Sequence, residues 1–218
     1  MSDDRPTSHI LDQLDRRIEL VSMDRYCDQI TVALYLAGDG RAAVVHSYSS
    51  RPAVAARLDW LAGAMRELAG MTGEGREVAF ACGAWHERAV RRAFLEACKV
   101  DPALPVAARP LEVFDTRTSQ AVAVEALGGG AYRVTSVASD TAATSRASAV
   151  AAGLVKLADV EVDPAEDTLI RFSCGAPHDR LVGLLLPRAI NVRAALREQE
   201  MAAGRGVLVA PSSQEAAS

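Results

Sequence analysis

The hydrophobic pattern of the first fifty residues predicts strands. Apolar and smaller or polar positions alternate over residues 30–36, and this period of two is typical of a strand with one buried face. Gly38-Asp39-Gly40 follows, and such glycine-containing turns supply the positive φ angles that tight hairpins need. Residues 42–48 are predicted to complete the hairpin, and residues 18–23 to form a strand before it.

A helical period begins after residue 50. One apolar stripe recurs every three or four positions and comprises Val54, Leu58, Leu61, Met65 and Leu68. Ser49 or Ser50 is predicted to cap this helix, Pro52 to occupy its first turn and Gly70 to end it. A strand over residues 77–82 and a helix over residues 85–99 complete the unit, so the predicted order is βββαβα.

The same pattern recurs 92 positions later. Residues 76–100 and 168–192 share nine identities in 25 positions, where unrelated stretches of this composition would share roughly two. Extending the constant offset upstream without a gap matches, among others, Val32 with Val124 and Gly38 with Gly130. Two copies are too few for a solenoid, so we expect a tandem duplication with pseudo-twofold symmetry in an α/β fold with a mixed sheet.

This pattern divides the chain into five segments. An N-terminal helix, capped by Thr7 or Ser8, is predicted over residues 1–16. The first βββαβα repeat covers residues 17–100, a proline-containing linker covers residues 101–108, and the second repeat with a helical extension covers residues 109–203. Pro187 is expected to kink or end the last helix of that repeat. Residues 204–218 are small and polar and predict a flexible tail.

Composition limits the function classes. The net charge is −4, with no clustered basic residues, which argues against nucleic acid as a partner. No run of eighteen apolar residues is present and the first residues are polar and acidic, so a membrane span and a secretory signal are not expected. Four sparse cysteines do not form a disulfide framework, and we expect a cytoplasmic protein with reduced thiols.

The strongest candidate site is a motif that occurs once in each repeat. It reads Phe-Ala-Cys-Gly-Ala-Trp-His-Glu-Arg from Phe80 to Arg88 and Phe-Ser-Cys-Gly-Ala-Pro-His-Asp-Arg from Phe172 to Arg180. Each copy is predicted to join a strand end to a helix start, with Pro177 at the first helical position and the histidine in the first turn. These two segments are called the first and the second corner below.

Anion binding is the first functional interpretation of the corners. Backbone N–H groups at a helix start can hold an anion, and ligands commonly lie outside the carboxyl ends of strands. The candidate ligand-binding residues are Gly83, Ala84, Arg88, Gly175, Ala176 and Arg180. Guanidinium groups suit carboxylate or phosphate, although a surface ion pair would explain both arginines as well.

Two other functional interpretations use the sulfur and imidazole groups. A helix start would lower a thiol pKa, so Cys82 with His86, or Cys174 with His178, could act as nucleophile and base. Alternatively, the same four residues could form one Cys2His2 zinc site across the dyad, although the Cys-x3-His spacing is not a usual zinc signature.

The simplest interpretation of the corners is structural, because cysteine packs well at a strand end and glycine makes the turn. The sequence therefore predicts a pseudosymmetric binding or assembly module that takes a small anion or other small molecule, with self-association allowed. A Cys/His enzyme and a shared zinc site remain as alternatives. No cofactor follows from the sequence.

Overall fold

Nine strands and four helices make up the described part of the chain. The computed structural model describes residues 14–25, 28–37, 40–47, 49, 51–115, 120–137, 141–192 and 195. The first half contains β1 (Leu14–Arg25), β2 (Asp28–Ala37), β3 (Ala42–His46), α1 (Pro52–Ala69), β4 (Glu77–Ala79) and α2 (Glu87–Lys99). The second contains β5 (Glu112–Asp115), β6 (Gln120–Gly128), β7 (Ala131–Val137), α3 (Thr141–Leu157), β8 (Val160–Asp163), β9 (Glu166–Phe172) and α4 (Asp179–Ala189).

The strands form two antiparallel sheets. The first has the order β1-β2-β3-β4 and the second the order β5-β6-β7-β9-β8. Every strand pair in the described residues is antiparallel, so the α/β class is confirmed but the expected mixed sheet is wrong. Hydrophobic periodicity identifies a strand but not its direction, which depends on the path of the intervening helix.

Helix α1 forms where the apolar stripe predicts it. All five stripe residues are at most 3% exposed, and the helix ends at Gly70, whose φ of 66° is left-handed. Pro52 occupies the first turn as predicted. The capping prediction is wrong, because Arg51 is the cap residue and makes no side-chain capping bond.

Strand β2 is buried on both faces rather than on one. Val32 and Leu34 lie in the main core, and Ala33 and Tyr35 on the opposite face are also buried. The ring of Tyr35 contacts that of His46, at a centroid distance of 5.9 Å. Alternation of apolar and small residues is therefore compatible with a central strand here, because Ala33 tolerates burial as well as a larger apolar residue does.

The constant offset of 92 does not hold throughout the two halves. Val78 pairs with Ala43 in the first sheet, whereas Ile170, 92 positions after Val78, pairs with Tyr132 in the second. Tyr132 lies 89 positions after Ala43, so the gapless match is wrong for β3 and β7, while Gly38, which was matched with Gly130, lies outside the described residues. The second half also contains β8, a strand that the sequence analysis missed.

The two halves meet through their helices. Helix α4 contacts α1 and α2, and α2 contacts α3. Buried apolar residues from both halves join one continuous core, and this burial is the dominant favourable contribution to folding. None of the described helices combines the length and apolarity that crossing a bilayer requires.

The two ends of the described chain contradict the sequence prediction in one respect and agree with it in another. Strand β1 begins at Leu14, so the predicted N-terminal helix does not extend to Arg16, and its other residues lie outside the described part. Pro187 was predicted to kink or end the last helix of the second repeat. Helix α4 contains Pro187 and ends two residues later, at Ala189. The predicted tail and most of the helical extension lie outside the described residues.

Candidate metal centre

The two corners have the same local backbone structure. Gly83 and Gly175 both have a φ of 69°, and their N–H groups donate to the carbonyls of Phe80 and Phe172 at 3.0 Å. A left-handed φ is costly for any residue with a Cβ, which explains glycine at this position of each turn. The turn reverses the chain at the strand end and leaves the preceding cysteine beside the next helix.

Each histidine precedes its helix instead of lying within the first turn. His86 and His178 are the N-cap residues of α2 and α4, and their carbonyls accept the first helical bonds, from Val90 and Val182 at 2.9 Å. Pro177 therefore stands before the cap, and its predicted place at the first helical position is wrong. The cap position turns each ring back toward the cysteine four residues earlier.

The corners converge on one point. Cys82 Sγ lies 3.4 Å from His86 Nε2, and Cys174 Sγ lies 3.2 Å from His178 Nε2. One ligand atom from each of these four residues lies within 4.8 Å of all the others. We call this group the Cys2His2 cluster. The two corners, whose matching residues are 92 positions apart, therefore share one site. The sequence alone left open whether they meet.

The histidines form the inner side of the cluster. His86 and His178 are 1% and 7% exposed, whereas both cysteines are partly exposed. The imidazole rings lie 5.0 Å apart between centroids and pack edge-on against aromatic rings. Each ring contacts the phenylalanine of the opposite corner, His178 with Phe80 at 5.1 Å and His86 with Phe172 at 5.7 Å. This apolar base holds both imidazoles in place.

The geometry fits tetrahedral zinc. With zinc to sulfur bonds of about 2.3 Å and zinc to nitrogen bonds of about 2.0 Å, tetrahedral angles place sulfur and nitrogen ligands roughly 3.5 Å apart and two sulfurs roughly 3.8 Å apart. The observed sulfur to nitrogen distances of 3.4 and 3.2 Å are close to this, and the other four ligand pairs, all within 4.8 Å, would need to close by about 1 Å at most to reach similar separations. Thiolate and imidazole are also zinc's preferred ligand types.

Burial sets the protonation of the cluster. It lowers the pKa of His86, and burial together with the adjacent His86 lowers the pKa of His178 to about 4. Both imidazoles are therefore neutral at pH 7, which is the form that binds a metal. Burial also raises the pKa of the Cys82 thiol, and a backbone hydrogen bond at Ala84 opposes this shift only in part. The expected lowering of a thiol pKa by the helix start is thus wrong at Cys82, which weakens the nucleophile interpretation.

Protein groups already pair with the two arginines that were predicted to bind an anion. The backbone N–H of Arg88 donates to Asp159 at 3.1 Å, and its guanidinium donates to the Val155 carbonyl at 3.1 Å. The guanidinium of Arg180 donates to the carboxylate of Glu67 at 2.9 Å. Both arginines therefore make contacts between the halves, and anion binding by them stays a prediction.

The small residues of the corners shape turns. The Ala84 carbonyl lies 3.9 Å from Cys82 Sγ, and Gly83 and Gly175 make the turns described above. Around Ala176 the backbone is close to Gly130, where a Cβ would lie 2.8 Å from the Ala176 carbonyl oxygen. The N–H groups of Gly83 and Gly175 already donate to backbone carbonyls, and the anion-binding role predicted for Ala84 and Ala176 stays a prediction.

Sequence reasoning missed two residues beside the site. Tyr132 accepts a hydrogen bond from the backbone N–H of His178 and donates one to Asp179 at 2.8 Å, and so fixes the second corner. Asp159 fixes the first corner by accepting a hydrogen bond from the backbone N–H of Arg88. The offset of 92 could have indicated Asp159, because it matches Asp159 with another acidic residue, Glu67. Nothing in the sequence singles out Tyr132.

Acid is expected to destabilise the metal-free protein through the two histidines. Their pKa values lie below the unfolded value of 6.5, to about 4 for His178, so the unfolded chain binds more protons between these limits. The free energy of unfolding should therefore fall as pH decreases below 6.5, by up to about 1.4 kcal/mol per pH unit for each histidine, and for His178 the fall continues to about pH 4. Above pH 6.5 this contribution is fully present.

Urea denaturation in chelator at pH 7, 5.5 and 4.5 measures this slope. The double variant His86→Asn/His178→Asn is the comparison, because it keeps every other titrating group, including His46. The variant should show a clearly shallower decline. Equal slopes in the two proteins would contradict the assignment of the pH dependence to these rings.

Comparison of the chain with protein-family models, with curated proteins and with solved structures finds no match, so its function is inferred from the geometry of the site.

Proposed function

We propose that the Cys2His2 cluster binds one structural zinc ion, and that this ion fastens the two halves of a pseudosymmetric module. The convergence of four zinc-type ligand atoms within 4.8 Å of one another is the observation that carries the proposal. Four protein ligands complete a tetrahedral shell, which is the arrangement of structural rather than catalytic zinc sites. In this role Cys82 and Cys174 supply thiolates and His86 and His178 supply Nε2.

We further propose that the halves descend from one duplicated unit and retain a pseudo-twofold relation. The ion pair of Arg88 with Asp159 has a counterpart in Arg180 with Glu67. Arg88 and Arg180 are 92 positions apart, and so are Glu67 and Asp159. The contacts of His178 with Phe80 and of His86 with Phe172 are reciprocal in the same way. Such exchanged contacts are typical of an isologous dimer interface, here within one chain.

The zinc ion would act as a cross-link in this arrangement. Each corner contributes one cysteine and one histidine, so neither half alone supplies enough ligands for a closed site. Helices α2 and α4, whose N-caps are the two histidines, would be held together at their starts. The module is then an assembly or scaffold element whose folded state depends on the metal.

Metal stoichiometry tests the proposal. The full chain, purified without chelator, is analysed by elemental analysis and by native mass spectrometry, and one zinc per folded monomer is expected. Replacement of zinc by Co²⁺ should give the intense visible bands of tetrahedral coordination together with sulfur-to-cobalt charge transfer in the near ultraviolet.

Single variants distinguish one shared site from two separate ones. Cys82→Ser and Cys174→Ser should each remove the same single ion, whereas Cys98→Ser should keep it, since Cys98 is outside the cluster. Native mass spectra report metal on the folded species, so a loss of folding is not mistaken for a loss of binding. Absence of bound metal in the unaltered chain, or its retention in both cluster variants, would refute the proposal.

A further inference from the structure

The sulfur atoms form the outer side of the proposed zinc centre. Both cysteines are partly exposed, while both histidines are buried beneath them. A small reagent from solvent therefore reaches sulfur before it reaches the imidazoles. Zinc keeps a coordinating thiol deprotonated, and the thiolate is the form that reacts with oxidants.

The two sulfurs are also close enough to join. Their Sγ atoms lie within 4.8 Å, and a disulfide bond measures about 2.05 Å, so they must approach by less than roughly 3 Å. The corner turns have room for this movement, because a Cβ built on Gly83 or Gly175 would have no neighbouring atom within 4 Å. Each cysteine directly precedes one of these glycines.

From these observations we infer that the centre is also an oxidation site, at which a hydroperoxide converts Cys82 and Cys174 to a disulfide and releases the metal. This inference rests on the proposed zinc centre. One thiolate attacks a peroxide oxygen, the O–O bond breaks, and a sulfenic acid and hydroxide (or alkoxide) form. The second thiolate attacks the sulfenic sulfur, the S–O bond breaks, and hydroxide leaves as the S–S bond forms.

The electrons balance in this sequence. The two sulfurs together lose two electrons and the hydroperoxide gains two, so no other oxidant is required. The disulfide has no thiolate left for the metal, and two imidazoles alone do not make a closed zinc site. Reduction by a dithiol restores both thiolates and allows zinc to bind again.

The test uses the full chain with Cys27→Ser and Cys98→Ser, so that the two cluster thiols are the only ones present. Zinc content is measured first, and then hydrogen peroxide is added in modest excess. A chromogenic indicator follows zinc release, and mass spectrometry of unreduced peptides detects the link between Cys82 and Cys174. We expect one zinc released for each disulfide formed, with both changes reversed by dithiothreitol.

A second protein, with Cys174→Ser added, identifies the chemistry. This variant should hold no zinc and should form no internal disulfide, and any oxidation of its remaining thiol should begin with a sulfenic acid that dimedone traps. If the starting protein holds zinc but peroxide leaves it bound, or releases it with sulfinic acids and no cross-link, the inference is overturned while the zinc proposal stands. If the starting protein holds no zinc, the zinc proposal fails and the inference fails with it.

Discussion

Removal of zinc is expected to lower the free energy of unfolding by about 4 kcal/mol or more. A ligand that binds only the folded state stabilises it by about 4 kcal/mol when its free concentration is a thousand times its dissociation constant. For a chain of this size the melting temperature should then fall by roughly 10 °C in chelator. Calorimetry or urea denaturation, with and without chelator, measures the change.

The matched variants separate metal stabilisation from packing. Cys174→Ser should melt at the same temperature in zinc and in chelator, since its cluster is incomplete. Cys98→Ser should retain the full difference, because Cys98 is not a member of the cluster. An unaltered chain whose melting temperature is insensitive to chelator would show that the ion, if bound, does not stabilise the fold.

The size of this effect follows from where the ligands lie in the chain. Cys82 and Cys174 are 92 positions apart, and a cross-link between them closes a long loop in the unfolded chain. Loop closure of this length reduces unfolded-state entropy by an amount worth roughly 4 to 5 kcal/mol in the chain-entropy treatment of cross-links. A metal bound within one corner would close only a very short loop and would stabilise the fold far less.

Local features of this chain are encoded by neighbouring residues and are predictable from them. The five-residue apolar stripe of α1 specifies both the helix and its buried face, because helical periodicity places its members on one side. The corner turns follow from Gly83 and Gly175 in the same way, since the left-handed φ that each adopts favours glycine. The motif match between the corners also predicts the shared local structure.

Features that depend on distant contacts were not predictable. The convergence of the corners requires α2 and α4 to pack together, and no pattern within either half specifies that contact. The residues of β7 that pair with β9 lie 89 rather than 92 positions after the residues of β3 that pair with β4. This difference of three residues arises because the turns of the two hairpins differ in length. The zinc site was only one alternative in the sequence analysis for this reason, since it needs an interface between the halves that the sequence does not show.

Alanine at Gly153 or Gly183 is expected to destabilise the protein by about 1 to 3 kcal/mol. A Cβ on Gly153 in α3 would lie 2.6 Å from the carbonyl oxygen of Ala189, which ends α4, and a Cβ on Gly183 would overlap the carbonyl of Arg109. The obstructing atoms are backbone, so relief requires α4 or the backbone packed against it to move, and overpacking of this kind typically costs about 1 to 3 kcal/mol. Urea denaturation of each variant in saturating zinc measures the loss.

Gly63→Ala is the matched control. Gly63 also lies within a helix, but its added Cβ would meet only the flexible end of Arg66, at 4.0 Å. Alanine should therefore stabilise this position by about 0.5 to 1 kcal/mol, the usual helical preference over glycine. Because α4 begins at His178, its displacement in the Gly153 and Gly183 variants should also weaken zinc binding, which Gly63→Ala should leave unchanged. Equal stability of the three variants would show that the helices do not approach as closely as the structure has them.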